Sequence, residues 1–440
     1  MYLATLLLLA LQAPAAAPCP SAPWASQPQP RFEDHFQPVS VRLDLSRWVE
    51  GGAEKVKVDG FFQEGPWAGN PHRPLDHSRY GEHELRVRDQ QGQLLYSRAF
   101  SSLFAEWRTT EEALAGKPRL FQESLRFPRP KQPVTLELVT RDRKGGETLV
   151  WSYSYLGRLD GLTPKAPGVA VLDLHRGDAD PTQNLDILLV ADGYDASQQA
   201  KLRADLRRFA DALLAAPAFA AHRDQVSIRA LAYATDGSGP AEPRKKLKGG
   251  SRVGATFNTF GSERYLTVGD DRALQHLAAL APQDTLVVLV NTARYGGAGI
   301  FRSWAVFPSD NDFDDYVFIH EFGHSFGGLG DEYYSSSVAY NEFYPKGFEP
   351  WEPNITALLD GPDSAKWDAL LDEGVPVPTP ERPEFSSSTG VFEGAGYSAR
   401  GLYRPALDCI MFSKKVQGFC KVCGCALEWM IMEEVSQDVR

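Results

Sequence analysis

The spacing of apolar and polar positions changes twice along the chain. Leu3 to Leu11 form a short apolar run followed by Ala15-Ala16-Ala17. The run is too short to span a bilayer and ends on an A-x-A cleavage pattern, so residues 1–17 read as a secretory signal peptide and predict an exported protein. Residues 18–36, rich in Pro, Ser and Ala, read as a flexible lead-in. From 37 to 157 the period is two. Val39 to Leu45 alternates as a half-buried strand does. Leu85–Arg88 with Leu94–Phe100 reads as a hairpin around Gln91-Gly92, and Val134–Leu138 with Leu149–Tyr153 as another around Gly145-Gly146. Short strands punctuated by turns predict an all-β sandwich domain over 37–157. Residues 158–181 carry Pro164, Pro167, Gly168, Gly177 and Pro181 and read as a linker with one strand at Val169–Leu174.

After 182 the pattern switches. Leu185 to Val190 is a near-continuous apolar run, as in a strand covered on both faces. Leu202, Leu206, Phe209 and Leu213 recur at helical spacing, and Pro217 stops that helix. Strands at Val226–Tyr233 and Thr285–Val290 and a helix at Arg272–Leu280 complete an α/β pattern over 182–440. Tyr295-Gly296-Gly297-Ala298-Gly299-Ile300 forms a flexible turn before a short strand, Trp304–Phe307. The first reading is a tight turn between strands; the alternative is that the following strand borders a cleft, where an extended peptide could pair with it.

A helix follows over about Asp312–Phe326, with Asp310, Asp312, Asp314 and Asp315 at its positive end, one of them available as a cap. Gly327-Gly328 is its expected exit. Its apolar face is Val317, Ile319, Phe322 and Phe326, and it contains His320-Glu321-x-x-His324. Residues four apart share a helix face, so the two imidazoles can converge on one tetrahedral zinc ion, with Glu321 beside them as base for a bound water. No histidine follows His324, so a downstream third ligand must be a carboxylate. Asp331 is the first choice, Glu332 the second and Glu342 a more distant alternative. Downstream, Met411 in Tyr403-Arg404-Pro405-Ala406-Leu407-Asp408-Cys409-Ile410-Met411 reads as a Met-turn beneath the histidines, and Tyr403 as a possible oxyanion stabiliser.

Composition adds bounds. A net charge of −11 over 440 residues argues against nucleic acid as the main partner, and no segment after the signal is apolar enough to cross a membrane. Four of the five cysteines, Cys409, Cys420, Cys423 and Cys425, lie near the C-terminus. Three full pairings are open to them. They could instead hold a second metal, although disulfides or a thiol cluster are the preferred reading in an exported chain. Cys19 could carry a lipid, but the preceding Pro18 departs from the small residue such a signal needs.

The stretches H-E-F-G-H-S-F-G-G-L-G-D-E-Y-Y, Y-R-P-A-L-D-C-I-M-F-S and F-C-K-V-C resemble the bacterial IgA-peptidase family of zinc metallopeptidases. Asn184–Tyr194, Phe257–Gly261 and Asn291–Ile300 are also similar to that family, and the resemblance extends over about 182–440. The β-rich part before it is similar to the family's N-terminal domain. The resemblance implies a metzincin-like domain with one catalytic zinc on His320, His324 and Asp331 and with Glu321 as base. The general metzincin pattern puts its third ligand ten residues after the first histidine, where this chain has Gly330; Asp331 is one further on. The expected activity is hydrolysis of internal peptide bonds in proteins. The alternatives are a zinc amidase or aminopeptidase acting on small or cell-wall substrates, and a non-catalytic binding protein.

Overall fold

A computed structural model describes residues 18–142, 144–163, 165–335, 344–416 and 418–436. The expected signal peptide and Glu342 lie outside the described residues.

The period-two region forms seven strands, β1 (Phe36–Glu50), β2 (Ala53–Pro66), β3 (His83–Arg88), β4 (Leu94–Phe100), β5 (Phe121–Pro130), β6 (Val134–Arg141) and β7 (Glu147–Tyr155), and the expected linker adds an eighth, β8 (Gly161–Leu162). They make two four-stranded sheets, ordered β5-β1-β2-β8 and β4-β3-β6-β7. Both anticipated hairpins are present, as antiparallel β3–β4 and β6–β7. Val41, Leu43, Leu45 and Phe127 of one sheet share a core with Leu85, Val87, Leu95 and Leu136 of the other.

The alternation in β1 does not leave one face in water. Its polar set, Arg42, Asp44 and Ser46, is also buried. Arg42 bonds Asp44 at 2.9 Å and Glu64 at 3.1 Å, and it donates to the Gln275 carbonyl at 3.3 Å. A charged face can be buried at bearable cost when each ion is paired and hydrogen-bonded. Here it packs against a helix of the following α/β region.

That region centres on a six-stranded mixed sheet of β9 (Ala170–His175), β10 (Leu185–Asp192), β11 (Val226–Ala232), β12 (Thr285–Val290), β13 (Ala298–Ile300) and β14 (Trp304–Pro308). The order is β13-β14-β12-β10-β11-β9; β10, β11, β12 and β14 run parallel, and the two edge strands run antiparallel. Alternate residues of β10 feed separate cores, Ile187 and Leu189 on one face and Leu188 and Val190 on the other. This two-sided burial explains the unbroken apolar run. The principal helices are α1 (Gln199–Ala215), α2 (Asp271–Ala278), α3 (Asp314–Gly327) and α4 (Lys421–Glu434). A small hairpin, β15 (Phe392–Ala395) and β16 (Ser398–Arg404), precedes α4. No helix among the described residues is long and apolar enough to cross a membrane.

The stretch after residue 17, expected to be a flexible lead-in, is instead fastened to the other end of the chain. Cys19 and Cys425 form a disulfide, the Trp429 indole donates to the Pro20 carbonyl at 2.7 Å, and Trp24 is buried with its indole on Glu433 at 3.1 Å. The proline-rich composition hid two aromatic and thiol anchors whose partners lie some four hundred residues away. The same disulfide corrects the cysteine reading: Cys425 does not pair with its C-terminal neighbours, and Cys19 is occupied.

A buried ion cluster joins the N-terminal sheets to the turn after β13. Arg302 has a positive φ of 51° and donates its amide to the Ser325 carbonyl of α3 at 2.7 Å. Its guanidinium pairs with Asp76 and lies 3.5 Å from Glu434, which Arg98 bonds at 2.9 Å. Burial opposes the charge on Asp76, but Arg302, the Ser78 hydroxyl and two backbone amides outweigh it and hold the carboxyl at about 2. A depressed carboxyl contributes stability that is complete above the ordinary aspartate value and lost as pH falls towards 2. Asp76→Asn is therefore expected to cost roughly 2–4 kcal/mol at neutral pH, and the gap to the parent should close as pH falls from about 4 to about 2. Urea unfolding at several pH values measures it; a gap independent of pH would show that Asp76 is not held as an ion.

Candidate metal centre

The site grows from α3. Asp314 and Asp315 occupy its first turn and bond Arg208 of α1 at 2.9 and 3.2 Å. None of the aspartates caps the helix: Phe313 holds the cap position, and Asn311 takes the Phe313 amide at 3.0 Å. The exit is as expected, with Gly328 in the left-handed region (φ 64°) and its amide on the His324 carbonyl at 3.1 Å. That reversal brings the chain back, so that Asp331 returns to the histidines instead of being carried along the axis at about 1.5 Å per residue.

His320 Nε2 and His324 Nε2 stand 3.1 Å apart, and Asp331 Oδ1 lies 3.1 and 3.2 Å from them. Each ring's other nitrogen is held by a carbonyl, His320 Nδ1 on Ile410 O at 3.0 Å and His324 Nδ1 on Leu329 O at 2.5 Å. A carbonyl only accepts, so each Nδ1 carries its proton and both Nε2 atoms are free to present lone pairs inward. Asp331 Oδ1 has no hydrogen-bond donor of its own. Three acceptors facing one another in a buried triangle fit a cation. A tetrahedral ion with bonds of about 2.0–2.1 Å separates its ligands by about 3.3 Å, close to what is seen. Burial resists charge on His324, yet the Asp331 carboxylate raises it to about 9, and the two histidines hold Asp331 far below the carboxylate range.

Glu321 is half-buried beside the triangle. Burial raises its pKa, against the pull of His320 and His324. Glu332 does not compete for the site. Its carboxylate is fully buried on the far side, bonded by Asn354 at 3.0 Å and by the Cys423 thiol at 3.1 Å, while its amide donates to Met411 O at 2.9 Å. The second-choice ligand, Glu332, therefore faces away from the histidines. Met411 is buried under α3, its Sδ 3.0 Å from where a Cβ on Gly323 would stand.

Tyr403 does not line the cleft. It sits on β16 and exchanges backbone hydrogen bonds with Thr356 at 2.9 and 3.2 Å. Other phenols reach the centre: Tyr397 donates to Asp331 Oδ2 from a left-handed position (φ 63°) in the β15–β16 turn, and Tyr316 OH lies 3.4 Å from His320 Nδ1. Asn354 was also missed. Its amide takes the Gly330 N–H at 2.8 Å and donates to the Gly330 carbonyl at 2.9 Å, fixing the segment before Asp331. The flanking glycines, Gly394-Ala395-Gly396, were the only sequence signal near Tyr397.

The strand bordering the cleft is β13, formed by the glycine turn itself, and not Trp304–Phe307, which lies inside the sheet between β13 and β12. β13 lies flush on α3: a Cβ on Gly299 would meet the Glu321 carbonyl at 2.2 Å, and one on Gly297 would meet the Glu321 carboxylate at 2.8 Å. The cleft encloses about 510 Å3, with Glu82, Ser101 and Glu106 of the N-terminal part forming one wall.

A profile described as IgA Peptidase M64 matches residues 174–385 and 381–431, and one described as Peptidase M64 N-terminus matches 31–152. The chain belongs to the peptidase M64 family. M64 peptidases are metallopeptidases, hydrolases of peptide bonds, and the His320–His324–Asp331 group is a place where such a metal could be held. No curated protein matches the chain.

Two variants at this M64 centre and one control away from it have expected outcomes. Tyr397→Phe removes a donor behind the Asp331 carboxylate and should weaken metal affinity by roughly 10–100-fold, read by competition with a chromophoric chelator. Gly299→Ala should abolish most activity, because backbone must move at the helix. Gly424→Ala in α4, which meets nothing within 4 Å, should be neutral or stabilising by up to about 1 kcal/mol. Equal activity in these two alanine variants would contradict the close packing of β13 on α3.

Proposed function

We propose that this chain is an exported zinc endopeptidase. In this reading residues 182–440 form a metzincin-like catalytic domain, and residues 37–157 a β-sandwich that walls one side of its cleft. The observation that carries the reading is the triangle of two imidazole nitrogens and one carboxylate oxygen, with Glu321 beside it. Two imidazoles and a carboxylate are a zinc donor set that leaves a fourth position open. When bound, zinc supplies Lewis acidity towards a carbonyl and lowers the pKa of a water.

The remaining work falls to the chain's own groups. Glu321 takes the proton of the attacking water and later delivers it to the leaving amine. Asp331 and the two imidazoles are kept in register by Tyr397, Leu329 and Ile410, and Met411 floors the helix as the Met-turn residue. β13, the last strand of its sheet, offers its edge to an extended peptide, which favours internal bonds of a protein chain over a small amide. The Cys19–Cys425 disulfide supports export to an oxidising compartment.

Glu321→Gln tests the mechanism. It is expected to retain the metal and to lose about 10²–10⁴-fold in kcat/KM on an internally cleaved peptide. Parent-like hydrolysis in a metal-replete Glu321→Gln protein would sink the assignment of Glu321 as the base.

A further inference from the structure

Cys409, Cys420 and Cys423 are not bridged to one another, and with Glu332 they form a second cluster whose four ligand atoms all lie within 4.8 Å of one another. Cys409, Cys423 and Glu332 are buried to 1% exposure or less, and Cys420 is half-buried. Glu332 Oε1 accepts from Asn354 and from the Cys423 thiol, but Oε2 has no partner. A fully buried carboxylate with one orphaned oxygen, turned towards three thiols, is costly unless a cation completes it. A disulfide between any two of the cysteines would leave that oxygen as it is.

We propose that Cys409, Cys420, Cys423 and Glu332 bind a second, structural zinc ion. Three thiolates with one carboxylate oxygen suit zinc, a borderline acid, among the divalent ions, and bonds of about 2.3 Å to sulfur imply ligand separations of about 3.8 Å, inside the observed limit. The chain is arranged for it. Cys420 is the residue before α4, and Cys423 lies one turn later at the same helix N-terminus, where the positive dipole end favours thiolates. The Cys420 amide already points at Cys409 Sγ, at 3.3 Å. Binding releases the thiol protons to solvent.

The ion would tie together three segments that serve the first centre. Glu332 follows Asp331 directly. Cys409 precedes Ile410, whose carbonyl orients His320, and Met411, whose carbonyl takes the Glu332 amide. The third segment is the start of α4, packed against α3. The structural ion is thus a clamp behind the catalytic one, and it closes no part of the cleft.

The test uses the full chain with His320→Ala and His324→Ala combined, which removes the first centre and separates this proposal from the assigned activity. Zinc analysis should fall from about two equivalents per chain in the parent to about one in that variant. Cobalt substituted into the same variant should show a thiolate-to-cobalt charge-transfer band, which a His/Asp site cannot give. A mercurial should release the remaining ion in step with thiol titration. Cys420→Ser with Cys423→Ser should abolish the band; if that variant does not fold, the mercurial titration of the histidine variant stands alone as the measurement. No bound metal in the histidine variant, or a disulfide between two of the three cysteines in the native parent protein, overturns the proposal.

Discussion

The arrangement around α3 depends on one electrostatic constraint. Two imidazole nitrogens and a carboxylate oxygen, within 3.1–3.2 Å of one another on the floor of the cleft, repel unless a positive charge lies among them. A divalent ion meets that need. Everything near the site makes sense as preventing relaxation. The rings cannot turn away, because Ile410 O and Leu329 O hold their outer nitrogens. Asp331 cannot withdraw, because Tyr397 bonds its other oxygen and Asn354 brackets the preceding Gly330 peptide. The helix cannot shift sideways, because β13 lies against it with glycine where a methyl group would collide.

That rigidity is carried outward by polar contacts more than by the apolar core. Arg302 sits where β13 turns back into β14. It binds the end of α3 through its amide and the N-terminal sheets through Asp76. The charged face of β1 meets α2 in the same manner, with Arg42 on the Gln275 carbonyl. Such contacts are directional where apolar packing is not. They fix the orientation of the N-terminal sheets on the α/β region, and with it the position of Glu82, Ser101 and Glu106 along the cleft.

What could be read from the sequence was what local spacing dictates. The four-residue interval placed both histidines on one face. The glycine pair marked the exit, and the apolar run of β10 announced a strand covered on both sides. The polar half of β1 misled because period two reports only alternation; whether the second face meets water or an ion network depends on what packs there. Tyr403 and Tyr397 differ by six residues, yet which phenol reaches Asp331 depends on the register of β15 with β16 and on a left-handed turn residue, neither visible in spacing. The docking of residues 18–31 depends on Cys425 and Trp429, and no local pattern connects them.

The choice between Asp331 and Glu332 shows most clearly why spacing alone was insufficient. Both lie just beyond the glycine break, and both are carboxylates. Once the helix has ended, consecutive side chains project to opposite sides of the chain. One of the pair must therefore face the histidines and the other must face away, into the core. A buried carboxylate turned from water demands its own partners. Glu332 finds Asn354, the Cys423 thiol and the Met411 carbonyl, the last through its amide. The placing of Asp331 against the histidines and the gathering of thiols around Glu332 are thus two results of one backbone conformation. A change that loosens the thiol cluster should be felt at the histidines through a single peptide bond.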